Sequence, residues 1–249
     1  MKVNIDEKEL IILEIIQDTE EPIGSWALAD LLAEKGYSIS TATVGRMLNK
    51  LENLGYLKKE KYKGRIITDK GEKAIKDMNL IHKINYHKKE LEKYINTRVL
   101  EDFLMVLEAR KSIEQTTARL AAENITEEEI AKLERIIEKQ DQNYKNNQSI
   151  TKCDLDFHKT IARASRNKVL ETLYHIISLS GQQSEIFEYL RERVGAPYMV
   201  SHRKILEAIK ERDPQKSEKS MIEHIENLIK DVREYWKTFE EIKPQERRG

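Results

Sequence analysis

From Val99 onward the chain is a succession of amphipathic helical stripes with little to interrupt them, and this run restricts the fold more than any other feature. Leu104, Leu107, Ile113, Leu120 and Ala121 mark one long stripe; Ile130, Leu133, Ile136 and Ile137 mark the next. Thr126 is placed to cap the second helix, with Glu127 to Glu129 in its acidic first turn. Further helices are expected over 149–165, 168–188, 191–209 and 217–239. The chain has only 9 glycines and 4 prolines, so long loops are few. Each apolar stripe needs a partner face, and helices in this order pack as an antiparallel bundle.

The first 79 residues read differently. Asp6, with Glu9 three residues on, forms a capping-box signal for a helix carrying Leu10, Ile11, Leu13, Ile15 and Ile16. Pro22 and Gly24 break it, Ser25 is positioned to cap a second helix with Leu28, Leu31 and Leu32 inward, and Gly36 ends that one. A third helix opens around Ser40 and stops at Gly55. Tyr56-Leu57 starts an extended stretch with Lys63-Gly64 at a hairpin tip, and another helix follows from Thr68. Three helices and a hairpin make a winged helix-turn-helix, in which the third helix enters the major groove of DNA. Ser40, Thr41, Thr43, Arg46 and Lys50 are its candidate contacts; Lys61, Lys63 and Arg65 on the wing are candidates for the phosphate backbone. Lys and Arg outnumber Asp and Glu by ten to four between Arg46 and Lys76, although the whole chain is balanced at 44 each. Local surplus matters more for DNA than net charge.

Residues 80–98 are charged, lack Gly and Pro, and space Ile84, Leu91 and Ile95 as a connecting helix; His82 and His87 belong to its solvated surface. The expected organisation is mainly α: a winged helix-turn-helix (1–79), a helical linker (80–98), a helical bundle (99–239) and a polar tail (240–249). With one cysteine there is no disulfide framework, and there is no long apolar run or signal peptide, so a cytoplasmic protein away from membranes is expected.

The bundle holds a second signal. The chain has six histidines. His158 follows Asp154 by one helical turn, so the two side chains face the same way, and His202 and His224 each sit in a separate amphipathic segment. Three imidazoles and a carboxylate suit a borderline divalent ion: zinc or nickel first, with cobalt and manganese also accommodated. Spacing alone leaves open whether the cluster binds metal or is three hydrogen-bonded core histidines.

Four phrases over 99–236 carry a family resemblance. They are Leu107-Glu108-Ala109-Arg110-x-x-Ile113-Glu114 with Ala118-x-Leu120-Ala121-Ala122; Asp154-x-x-Phe157-His158-x-x-Ile161-Ala162-x-Ala164-Ser165-x-Asn167; His202-x-x-Ile205-Leu206-x-Ala208-Ile209; and Met221-x-x-His224. In this order they resemble the ligand-binding domain of the FadR subfamily of GntR regulators, known as FCD. The resemblance implies that Asp154, His158, His202 and His224 ligate a divalent ion, as in the metal-binding branch of that family. It also implies a small carboxylate effector near the ion, with Arg110, Arg163 and His175 as candidate effector contacts. The head departs from the usual GntR pattern: Ser40 to Leu57 instead resembles winged helices of archaeal and bacterial repressors.

The function expected is a DNA-binding transcriptional regulator, in the sense of a repressor. It would act as a homodimer on double-stranded operator DNA under control of an organic acid. The alternatives are a regulator that senses the ion itself and a metal-dependent hydrolase. HExxH, CxxC and Gly-rich phosphate loops are absent, which weighs against an enzyme.

Overall fold

The computed structural model describes residues 5–19, 21–95, 99–146, 148–181 and 196–246. It divides into two units, Met1–Glu90 and Leu91–Gly249.

The first unit runs α1 (Glu7–Thr19), α2 (Ser25–Glu34), α3 (Thr41–Asn53), β1 (Leu57–Glu60), β2 (Gly64–Ile67) and the start of α4 (Asp69–Ile95). The capping box of α1 is present: Glu9 N donates to Asp6 Oδ1 at 2.9 Å and Asp6 N to Glu9 Oε2 at 3.0 Å. Ser25 is the first residue of α2, not its cap; Gly24 holds the cap position without a side-chain bond. Ser40 caps α3, accepting from Thr43 N. Gly36 and Gly55, at φ of 87° and 77°, end α2 and α3 in the left-handed region that costs glycine little.

The hairpin pairs Leu57 with Ile67 through Glu60 with Gly64, turning at 61–63. Ile23, between two residues that read as breakers, adds a bridge to Arg65 with bonds of 3.0 and 2.9 Å. A Cβ on Gly64 would fall 2.4 Å from the Ile23 carbonyl, so this close approach requires glycine. Ile12, Leu13, Leu28, Leu32, Val44, Leu48 and Leu51 are the centre of this unit's core.

The second unit is helical: α5 (Leu100–Asn124), α6 (Glu127–Lys145), α7 (Thr151–Ala164), α8 (Lys168–Gly181), α9 (Ala196–Lys210) and α10 (Pro214–Glu246). Thr126 and Glu129 make the capping box of α6. Parts of two expected helices, 182–188 and 191–195, lie outside the described residues. The last helix starts earlier than the stripe suggested, because Pro214 suits a first helical position and Asp213 accepts from Lys216 N at 2.9 Å. It continues to Glu246, so residues 240–246, expected as a polar tail, are helical.

Helix α5 packs along α10 and against α7 and α8, while α9 lies against α10 and α6. Leu107, Leu133, Phe157, Ile161, Ile205, Ile209, Met221 and Ile225 fill the centre, each worth roughly 1.5–3 kcal/mol when fully buried. No helix among the described residues is long and apolar enough to cross a membrane.

Candidate metal centre

The inward face of α7 carries Asp154, Phe157, His158 and Ile161, so its ligand residues and its core residues share one stripe. Helix α9 brings His202 and α10 brings His224 to the same place. All four candidate ligands are buried. One ligand atom from each lies within 4.8 Å of the others. Donors about 2.0–2.2 Å from a common ion stand at most ~4.4 Å apart, so the four are gathered to nearly ligating distance. Asp154 Oδ1 is 3.5 Å from His202 Nε2 and 3.9 Å from His158 Nε2.

The second nitrogen of each ring stands close to an oxygen outside the quartet, hydrogen-bonded for His202 and His224 and in ion-pair contact for His158. His158 Nδ1 stands 2.5 Å from Glu114 Oε2. His202 Nδ1 is 3.0 Å from Gln140 Oε1, and His224 Nδ1 is 2.9 Å from Ser201 Oγ. Carboxylate, amide and hydroxyl oxygens all accept, so each ring can carry its proton on Nδ1 and leave the Nε2 lone pair for an ion, with Nε2 of His158 and His202 directed toward Asp154. Histidine ligands of protein-bound metals are oriented in this way. His158 Nε2 is buried and makes no hydrogen bond. That unmet need, with three imidazoles and a carboxylate, fits a divalent ion.

Glu114 is itself anchored, because Arg110 Nε donates to its Oε1 at 2.7 Å and both side chains are buried. Burial opposes ionisation of Glu114, but Arg110 and His158 beside it hold its carboxyl down to about 2. Burial likewise works against the charge on Arg110, and Glu114 more than offsets this, raising its pKa. His224 is pushed well below the usual imidazole value, first by burial and then by His202 and His158, which keeps it neutral and able to ligate.

The effector candidates are distributed differently. Arg110 lies beneath His158 in the ion pair just described. Arg163 is exposed on α7. The His175 side chain is 43% exposed and 4.0 Å from Glu171 of its own helix. The neighbouring Tyr174 is buried instead, its ring centroid 6.5 Å from that of His158. Glu114, Gln140, Ser201 and Tyr174 were not singled out from sequence. A signal for one of them existed: Arg110 and Glu114, four apart, interrupt the apolar stripe of Leu107, Ala118 and Ala121 with charge.

In the head, Thr41 and Arg46 are exposed on α3, and Arg46 Nη2 donates to Thr43 Oγ1 at 3.1 Å. Lys61 and Lys63 are exposed at the turn. Two other candidates are engaged within the fold. Lys50 Nζ is 2.7 Å from Glu9, and Arg65 donates to Glu52 at 2.9 Å and to Asn49 at 2.5 Å, tying the wing to α3.

Residues 105–227 match the FCD domain family and residues 10–75 the ribonuclease R winged-helix domain. The chain is 36% identical over 77 residues to the global nitrogen regulator NrpRI of Methanosarcina mazei, covering 31% of this chain and 24% of that protein. It is 31% identical over 121 residues to the HTH-type transcriptional regulator YcbG of Bacillus subtilis, covering 48% of this chain and 50% of that one. It therefore spans half or less of the length of these curated relatives. A solved structure titled Streptococcus agalactiae GntR aligns at a TM-score of 0.47 with 20% identity, over 90% of this chain and 98% of that one. The bundle is thus similar to FCD domains over residues 105–227, and the head to ribonuclease R winged-helix domains over residues 10–75.

Proposed function

We propose that this protein is a DNA-binding transcriptional regulator whose FCD domain responds to a small organic acid at a divalent-metal centre. The observation that carries the reading is that one ligand atom each of Asp154, His158, His202 and His224 lies within 4.8 Å of the others, while Nδ1 of every ring stands 2.5–3.0 Å from an oxygen outside the quartet. Zinc or nickel best suits those donors. When bound, the ion supplies a Lewis-acid anchor for a carboxylate. The chain's own part is to hold three rings in orientation, to exclude water by burial, and to present the Asp154 carboxylate among them.

The names of the curated relatives, which are regulators, support a regulatory role over a catalytic one. For the head, the reading is that α3 enters the major groove through Thr41, Thr43 and Arg46, with Lys61 and Lys63 along the backbone. As a homodimer the protein would read a palindromic operator. Repression relieved by the acid is the sense proposed.

The test is a thermal-stability screen of small organic acids against the full chain, with and without chelator. A hit that raises the melting temperature only in the metal-loaded protein, and that weakens binding to its operator, supports the reading. If chelation alters neither stability nor acid binding, the reading fails.

A further inference from the structure

A cleft of about 510 Å³ lies between α6 and α7, lined by Lys132, Arg135, Lys139, Lys152, Cys153 and Asp156 among others. On α6 the three cations recur at helical spacing along one face. On α7, Lys152, Cys153 and Asp156 lie on a different face from Asp154 and His158, so the cleft opens away from the metal centre.

Its charge is unbalanced in a way that the rest of the helix is not. Glu127, Glu134 and Asp141 of α6 pair with Arg212, Lys210 and Arg203. Glu129 binds Arg166 through both oxygens, at 2.8 and 2.7 Å. Among the described residues no carboxylate forms an ion pair with Lys132, Arg135, Lys139 or Lys152. Four cations therefore face one carboxylate, Asp156, around a concavity. The volume lies within the usual ~300–1,000 Å³ range of small-molecule sites. An extended macromolecule needs a broad surface; a concavity with its charge gathered around it favours a compact ligand.

We infer that this cleft is a second ligand site, separate from the metal centre, for a small polyanion of diphosphate character. Arg135 offers a planar fork for a phosphoryl group, and the three lysines supply point charges around it. Asn143, Gln148 and Ser149 in the same lining bring neutral polar groups, with Asn143 Nδ2 already donating to the Ser149 carbonyl at 3.0 Å and Ser149 Oγ to Thr151 Oγ1 at 3.1 Å.

The probe is ADP, titrated by calorimetry at low salt into the full-length protein, both metal-stripped and zinc-loaded. Saturable binding is expected in both forms, with competition by inorganic pyrophosphate in the stripped form and none by adenosine. Lys139→Glu and Arg135→Glu, both at exposed positions, should each weaken ADP by about tenfold or more. Lys210→Glu changes net charge equally but lies in an ion pair on α9, and should leave ADP binding within about twofold. Circular dichroism checks that the variants stay folded. Absence of saturable ADP binding would overturn the inference, as would competition by adenosine or an equal loss in Lys210→Glu. Binding only in the zinc-loaded form would assign ADP to the metal centre and overturn it too. None of these results depends on the regulator reading.

Discussion

Replacing Glu114 by glutamine separates two jobs that one carboxylate performs. It is buried with Arg110 on one oxygen and His158 on the other. Removing the charge while keeping the shape takes from the buried Arg110 guanidinium the carboxylate it donates to, which costs about 3–5 kcal/mol of folding stability. The amide oxygen can still accept from His158 Nδ1, as Gln140 does for His202, so ring orientation is only partly lost. Zinc affinity should then fall by ~10-fold, the lower end of the range for residues that orient a ligand, or ~1.4 kcal/mol. The assays are urea unfolding of the metal-stripped protein and zinc competition against a chromophoric chelator. Adding Arg110→Met removes the stranded charge and should recover most of the stability without recovering the affinity. If Glu114→Gln loses stability but binds zinc as the parent does, Glu114 serves Arg110 alone and the orienting role is refuted. If the double variant regains full affinity, the loss came from strain and the reasoning fails equally.

Other consequences can be checked independently. Gly64→Ala would drive a methyl into the Ile23 backbone at φ of 133° and should destabilise the first unit by about 3 kcal/mol in denaturant unfolding. Gly45→Ala, in mid-helix with nothing within 4 Å of the added carbon, should instead stabilise by about 0.5–1 kcal/mol. Burial opposes ionisation of Glu129, but its bonds to Arg166 and Thr126 lower its pKa, so the stability it contributes is present above the unfolded value near 4.5 and is lost as pH falls through its lower folded value. Glu129→Gln should therefore cost ~1 kcal/mol at neutral pH, with solvent screening of the exposed Arg166 allowed for, and close to nothing at strongly acid pH. Arg46→Ala should weaken operator binding and flatten its salt dependence while leaving zinc affinity unchanged, as titrations at several salt concentrations will measure.

What the sequence made legible follows from how locally each feature is encoded. Asp154 and His158 share a helix turn, Asp6 with Glu9 is a capping pair three residues apart, and Thr126 is a cap ahead of an acidic first turn; each was readable and each is formed, with Glu129 completing a capping box at Thr126. Features that join distant segments were not. Glu114 reaches His158 from another helix, Gln140 reaches His202, and Ser201 precedes a ligand yet serves His224. Lys50 and Arg65 counted as positive charges for DNA because their partners Glu9 and Glu52 are fixed only by tertiary packing. The difference between His175 and Tyr174 is a matter of helix phase: a shift of one residue turns a side chain by about 100°, and the apolar pattern of α8 allowed either inward.

The central claim rests on the quartet holding an ion, and native mass spectrometry after zinc loading and gel filtration tests it most directly. The account predicts one zinc per folded chain in the parent, and none in Asp154→Ala or His202→Ala at equal protein concentration. A parent chain that emerges without metal, or an Asp154→Ala chain that retains its zinc, would contradict it.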